Sequence, residues 1–284
     1  MKETLPVCDE GNFRFSTMSQ STESFQSQET GDHEPIHVIS LGAGVQSSTM
    51  ALMAAHGEIT PIPKCAIFAD TGDEPKEVYQ WLDELTLLLP FPVHRISNGR
   101  LSDHIVNKWD FSQIPAWFRN SEGKASIGRR QCTKYFKVMP IRREIRRLFP
   151  NTKVTLWQGI SWDEVSRMKD ADVQWLTHRW PLIEQRIDRV GCESRLRNFT
   201  TTRVPKSACV YCPYRGDKQW KESISKDSDM EIINRVESVL LPRNEFLNRQ
   251  LLPTSQMTFT NVQITRQSAQ IEFWNNECEG MCGV

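Results

Sequence analysis

Apolar residues fall along this chain in two alternating textures. Short unbroken runs, "IHVISL" and "KCAIFAD", have the length and flanking turns of strands buried on both faces. Between and after them lie segments with helical spacing. "SSTMALMAAHG" predicts a helix that stops at Gly57. "EPKEVYQWLDELTLLL" predicts a second, with Val78, Trp81, Leu82 and Leu85 on one face. "PVHRIS" and "KVTLWQGIS" add two more strands. Strand and helix alternate, so the expected fold class is α/β: a parallel open sheet with helices on both faces.

The pattern is weaker elsewhere. Residues 100–128 read as irregular. "CTKYFKVMPIRREIRRLF" reads as helical, with Pro140 opening its second half, and "PLIEQRIDRVGCESRLRN" as one helix. "DSDMEIINRVESVLLPRNEFLNRQ" is helical again, and 251–284 is a poorly patterned tail. Residues 1–34, rich in Ser, Thr, Gln and Glu, have the composition of a flexible arm. Three parts follow: the N-terminal tail 1–34, an α/β domain over 35–225, and a C-terminal helical extension with a cysteine-containing tail over 226–284.

Composition narrows the class. The chain has 284 residues, 38% of them apolar, which is enough for a sizeable core and argues against global disorder. Its 35 basic and 35 acidic side chains cancel, so bulk charge points to no nucleic-acid partner. The longest apolar run, "LTLLLPFPV", is too short to span a membrane, and no leader pattern opens the chain, so a cytoplasmic location is the default expectation. In that compartment eight cysteines suit metal binding or redox work better than a disulfide framework. Cys65 lies inside a buried strand and reads as a small core residue, and Cys8 as incidental.

The first strand runs into a helix through "SLGAGVQSST". Backbone amides of such a turn, with a helix N-terminus behind them, favour an anion. Gly42 and Gly44 permit close approach, and Ser47 and Ser48 add hydroxyls. A tight turn without a ligand needs the same glycines. The stretch fits neither the Walker phosphate loop nor G-x-G-x-x-G. "GAGVQSS" resembles the PP-loop of the adenine-nucleotide α-hydrolase-like superfamily. ATP pyrophosphatases of that superfamily carry an aspartate where this chain has Gln46, whereas the phosphoadenosine phosphosulfate (PAPS) reductase branch carries glutamine. "FADTGDEPKEVYQWLDEL" is similar to the aspartate-threonine-glycine segment of that branch and puts Asp70, Thr71 and Gly72 at the same sheet edge. "RRQCTKYFKVMPIRREIRRL" and "GISWDEVSRM" resemble two further segments, the latter supplying Glu164 and Arg167. The resemblance covers about residues 36–220 and implies a nucleotide-binding domain for PAPS, adenylylsulfate (APS) or ATP.

Basic residues concentrate between 129 and 147. A solvated helix face accounts for most such runs. Arg129, Arg130, Lys134 and Lys137 surround Cys132, where they would suit a phosphate or sulfate. Arg142, Arg143, Arg146 and Arg147 lie further along and offer a weaker case for nucleic acid, a partner that is admitted but not favoured. "SACVYCPYRG" holds Cys209-x-x-Cys212, a spacing that grips a metal or cluster from a tight turn. APS reductases combine such a pair with cysteines in the arginine segment to hold a [4Fe–4S] cluster. By that resemblance the ligands are Cys132, Cys209, Cys212 and, because Gln131 stands where those enzymes have a second cysteine, Cys192. Zinc or a redox dithiol fits the same spacing.

The chain ends "ECEGMCGV". Sulfonucleotide reductases place a nucleophilic cysteine on a C-terminal glutamate-cysteine-glycine segment, which this ending resembles in position, with a second cysteine added and the final histidine absent. The resemblance assigns Cys278 as nucleophile and Cys282 as resolving thiol, with a thioredoxin-type protein as electron donor. Three functions follow as expectations: a PAPS or APS reductase-like enzyme; an ATP-dependent sulfurtransferase modifying nucleic acid, as in DNA phosphorothioation; and a non-catalytic nucleotide- or nucleic-acid-binding zinc module.

Overall fold

A computed structural model describes residues 35–107 and 114–259. The N-terminal tail and the thiols Cys278 and Cys282 lie outside the described residues.

Five strands form one parallel sheet: β1 (Ile36–Leu41), β2 (Cys65–Asp70), β3 (Val93–Ser97), β6 (Val154–Gln158) and β7 (Leu176–Arg179), in the order β3-β2-β1-β6-β7. Helices α1 (Val45–Ala55), α2 (Lys76–Leu88), α5 (Pro181–Glu184) and α6 (Arg189–Phe199) contribute to the core on one face, and α4 (Met139–Leu148) to the core on the other. The period of two explains the division. Ile39, Leu41, Ala66, Phe68 and Trp157 enter the core under α1 and α2, while Val38, Cys65, Ile67, Val154 and Leu156 enter the one under α4. The expected α/β architecture is the observed one. No helix among the described residues is long and apolar enough to cross a membrane.

A third apolar cluster lies beyond the sheet. It joins α3 (Leu101–Asn107), Phe136, Val210 and Tyr211 of the cysteine loop, Trp220 of α7 (Asp217–Ile224), and Ile233, Val236 and Leu240 of α8 (Asp227–Leu240). This core runs across residue 225 without a break.

Several elements depart from the expected pattern. Residues 100–128 contain α3 and a hairpin of β4 (Trp117–Arg119) and β5 (Ala125–Ile127), whose turn is tied by Asn120 Oδ1 accepting from the Glu122 and Lys124 amides. Strands of three residues are too short to show alternation. The single helix expected over 181–198 is two. Arg186 takes a left-handed conformation (φ 54°), and Asp188 opens α6 by accepting from the Gly191 amide at 2.7 Å. The helix expected over 227–250 ends at Leu240, ahead of Pro242 and a left-handed Asn244 (φ 57°), so that Phe246 can pair with Trp117.

Candidate functional site

The strand order reverses between β1 and β6, and a crevice at the C-terminal ends of such strands is where open α/β sheets bind ligands. On the β1 side, Gly42-Ala43-Gly44 turns the chain into α1. Ala43 takes the left-handed conformation (φ 57°), a strained state for a residue with a Cβ. Ser47 Oγ closes the turn by accepting from the Gly42 amide at 3.2 Å. Ser48 Oγ accepts from the Trp81 indole at 2.9 Å, which ties the turn to α2. The two hydroxyls expected at a ligand therefore also build the turn.

On the β6 side, Gly159 lies against the start of α1. A Cβ there would stand 2.7 Å from the Ser47 backbone nitrogen and Cα, so only glycine fits. The loop that follows carries Glu164. Its carboxylate accepts from Gln46 Nε2 at 3.4 Å and from Arg167 Nη1 at 2.5 Å. Gln46 and the Glu164–Arg167 pair, distant from it in sequence, thus meet across the switch point.

At the end of β2, Asp70 Oδ1 accepts from the Gly72 amide (2.7 Å) and the Tyr79 hydroxyl (2.8 Å). Burial, followed by that bond to Asp70, pushes the Tyr79 hydroxyl well above the usual tyrosine range. Gly72 is left-handed (φ 76°) with Arg100 Cγ 2.9 Å from where its Cβ would be, so it too must be glycine. Thr71 Oγ1 lies 3.2 Å from Cys209 Sγ. The expected edge residues are therefore in contact with the cysteine loop.

Asp73, which sequence reasoning missed, holds this junction. Its side chain is buried and accepts from Arg100 Nε (2.7 Å), the Ser102 amide (2.7 Å), Ser102 Oγ (2.9 Å) and the Tyr211 hydroxyl (2.7 Å). Its carbonyl accepts from the Val210 amide at 2.9 Å. Burial, with the charges of Cys209 and Asp73 behind it, raises the Tyr211 hydroxyl far above its ordinary value, so it stays a donor. Glu74, also missed, pairs with the buried Lys137 at 3.4 Å. The only sequence signal for either was the pair of acids that follows Gly72 in "DTGDEP", next to residues already singled out.

The basic group divides. Lys137 is buried on Glu74, Arg130 donates to Thr133 Oγ1 at 2.8 Å and lies over the Tyr214 ring, and Arg129 and Lys134 are exposed. Further along, Arg142 bonds Asp172, Arg146 stacks on Trp175, and Arg147 bonds Glu144.

Cys209 and Cys212 stand at the ends of a tight turn closed by Cys212 N–H to the Cys209 carbonyl (2.9 Å), and with Cys132 they pack into the third apolar cluster. Cys192 is buried on α6 in the core beneath α1, its carbonyl accepting from Thr49 Oγ1 at 3.3 Å. Among the described residues no three Cys, His, Asp or Glu groups are gathered to hold a metal ion. Cys65 is buried as expected, and burial pushes its thiol up to about 12.

Several buried polar atoms in these loops have no hydrogen-bond partner among the described residues: Ser40 Oγ, Gln46 Oε1, Gln158 Nε2 and Ser161 Oγ at the switch point, and Glu74 Oε2 and Ser207 Oγ beside the cysteine loop. Leaving such a group unsatisfied costs about 1–3 kcal/mol, so a cluster of them is a place that water or a polar ligand would satisfy. Fold and site together define an α/β protein with unpartnered buried polar atoms at its topological switch point and a cysteine loop keyed to the adjacent strand end. No protein-family model matches the chain, and no curated protein matches it.

Proposed function

We propose that this chain is a PAPS reductase-like enzyme that carries out sulfur redox chemistry at an adenine-nucleotide site. The observation that carries the proposal is the convergence of unsatisfied buried polar atoms on the crevice where Gln46 meets Glu164. Gln46 at the position that distinguishes the reductase branch, and the thiol loop docked on the β2 end through Thr71 and Asp73, add support.

In this reaction the Cys278 thiolate attacks the sulfur of a bound sulfonucleotide. The sulfur–oxygen bond to the phosphate breaks and the nucleotide phosphate leaves. The Cys282 thiolate then attacks Cys278 Sγ, releasing sulfite and leaving a disulfide. A dithiol protein of thioredoxin type reduces that disulfide. The nucleotide's phosphates fall to the Gly42–Ser48 turn, and its polar edges to Gln46, Glu164 and Arg167.

An iron–sulfur cluster, with zinc as the competing occupant, belongs to the proposal through Cys132, Cys209 and Cys212; Cys192 lies in the separate core beneath α1 and does not join them as the fourth ligand. The three thiols share one apolar cluster, which leaves a fourth ligand to be supplied from elsewhere. A bound cluster with four thiolates would be dianionic and would hold cationic side chains beside it rather than attract the substrate's oxyanions itself.

The test is thermal protection followed by turnover. PAPS, APS or ATP should raise the melting temperature, and PAPS or APS should yield sulfite in the presence of a reduced dithiol donor. Protection by none of the three would remove the nucleotide site. Protection by ATP alone, with ATP-dependent sulfur transfer to nucleic acid, would transfer the assignment to the sulfurtransferase reading.

A further inference from the structure

Two amide side chains at the switch point are buried, each with one polar atom left over: Gln46 Oε1 and Gln158 Nε2. The hydroxyls of Ser40 and Ser161, also buried, share that condition. The fold draws the four residues together. Ser40 and Gln158 are register partners on the neighbouring strands β1 and β6, so their side chains leave the same face of the sheet. Gly159, which follows, lies against Ser47, the neighbour of Gln46. The Ser161 carbonyl accepts from the Glu164 amide at 2.9 Å, and Glu164 in turn holds Gln46.

The contact with Glu164 decides which end of the Gln46 amide is left over. An amide has a donating end and an accepting end, whereas a carboxylate paired with a guanidinium only accepts. Glu164 takes Arg167 Nη1 at 2.5 Å on one oxygen and Gln46 Nε2 at 3.4 Å on the other. The reversed amide would set its carbonyl oxygen against that carboxylate, two acceptors face to face. Gln46 Oε1 is therefore held as an acceptor in the first turn of α1, beside backbone amides that suit an anion. A phosphate or sulfate oxygen, itself an acceptor, satisfies those amides but not Oε1. Only a ligand group that carries a hydrogen does.

We infer that Glu164 is a positioning residue that sets ligand specificity: by fixing the Gln46 amide it makes the switch point select a neutral hydrogen-bond donor next to the ligand's anionic group. The inference rests on the nucleotide reading above and adds to it the chemistry that Gln46 reads. An adenine nucleotide offers such a donor from two sources, the amino group of the base and a ribose hydroxyl. Water filling the position would select nothing.

The test measures dissociation constants calorimetrically on the full chain for ATP, for ITP, in which a 6-oxo group replaces the amino group, and for 2′-deoxy-ATP and 3′-deoxy-ATP. The native protein should bind ATP, and at least one of the other probes should bind about tenfold or more weakly than ATP. Weakening of ITP assigns the donor to the base, and weakening of a deoxy probe assigns it to that ribose hydroxyl. In Glu164→Gln the new amide can donate or accept, so Gln46 is free to turn, and the affinity ratio should fall to about threefold or less. Gln46→Met keeps the volume but lacks the acceptor and should lose the ratio as well, so the result does not hang on one variant folding. Equal native affinity for all the probes, or a ratio that survives in either folded variant, would overturn the inference, as would absence of ATP binding. Thermal protection by PAPS or APS then tells the two failures apart, because it tests the nucleotide reading without reference to Gln46.

Discussion

Asp73 shows how much one side chain can organise. Four donors from two separate segments, 100–102 and the cysteine loop, converge on its carboxylate, and one of them, Tyr211, stands between the two cysteines of the C-x-x-C turn. Asp73→Asn would turn an amide donor towards these donors and should destabilise the fold by roughly 3 kcal/mol. Tyr211→Phe removes one bond and should cost about 1–2 kcal/mol. The two should not add, because they share one interaction, and a double-mutant cycle in urea measures the coupling. Simple additivity would mean that Asp73 does not hold the cysteine loop. Gly159 makes a different prediction. A methyl group there meets the Ser47 backbone at 2.7 Å, so Gly159→Ala should cost about 1–3 kcal/mol and also shift the Gly42–Ser48 turn. Melting temperature and nucleotide protection should both fall. Loss of stability with unchanged protection would separate the turn from the ligand site.

At the level of elements, what was legible follows from what repeats. β1, β2 and β6 are buried runs with α1 and α2 between or beside them, and runs of that length survive as patterns, so the parallel sheet and its ligand edge could be read before any coordinates. The β4–β5 hairpin and β7 could not, because three or four residues carry no period. The break at Arg186 was hidden by apolar spacing that is helical on both sides of it. The Gln46–Glu164 contact and the hub at Asp73 depend on tertiary closure across 118 and 138 residues, which local pattern cannot report. Helix α8 carries a testable consequence. Its Glu237 is buried and accepts from the Thr254 amide (2.9 Å) and hydroxyl (2.8 Å), clamping the chain that follows. Burial raises its carboxyl above the ordinary 4.5, with the Thr254 bonds opposing. A group raised in the folded state gives stability that is complete below 4.5 and lost as pH rises through the folded value. Glu245, raised by burial too, acts in the same direction. Glu237→Gln should therefore gain melting temperature relative to the native protein at pH 7 more than at pH 4. An unchanged pH slope in that variant would assign the titration elsewhere.

Across the whole molecule, binding and reaction are assigned to different parts of the chain. The proposed nucleotide site belongs to the sheet edge, the cysteine loop shares its core with α7 and α8, and the proposed nucleophile lies in the tail. Separate parts should be separable by mutation. Anaerobically prepared protein should be brown, and Cys209→Ala should bleach it, whereas a colourless protein with stoichiometric zinc would replace the cluster by a zinc site. Cys278→Ser should abolish sulfite production while thermal protection by PAPS or APS stays at the native level, since no bond to the nucleotide is removed. Cys282→Ser should stop one step later. The first attack proceeds, the resolving thiol is missing, and the chain should gain the mass of one sulfonate group on Cys278, visible in an intact-mass spectrum and removed by added thiol. Accumulation of that adduct in Cys282→Ser but not in the double variant would fix the order of the two thiols. Full turnover in Cys278→Ser would take the tail out of the chemistry and move the search for the nucleophile to the cysteine loop.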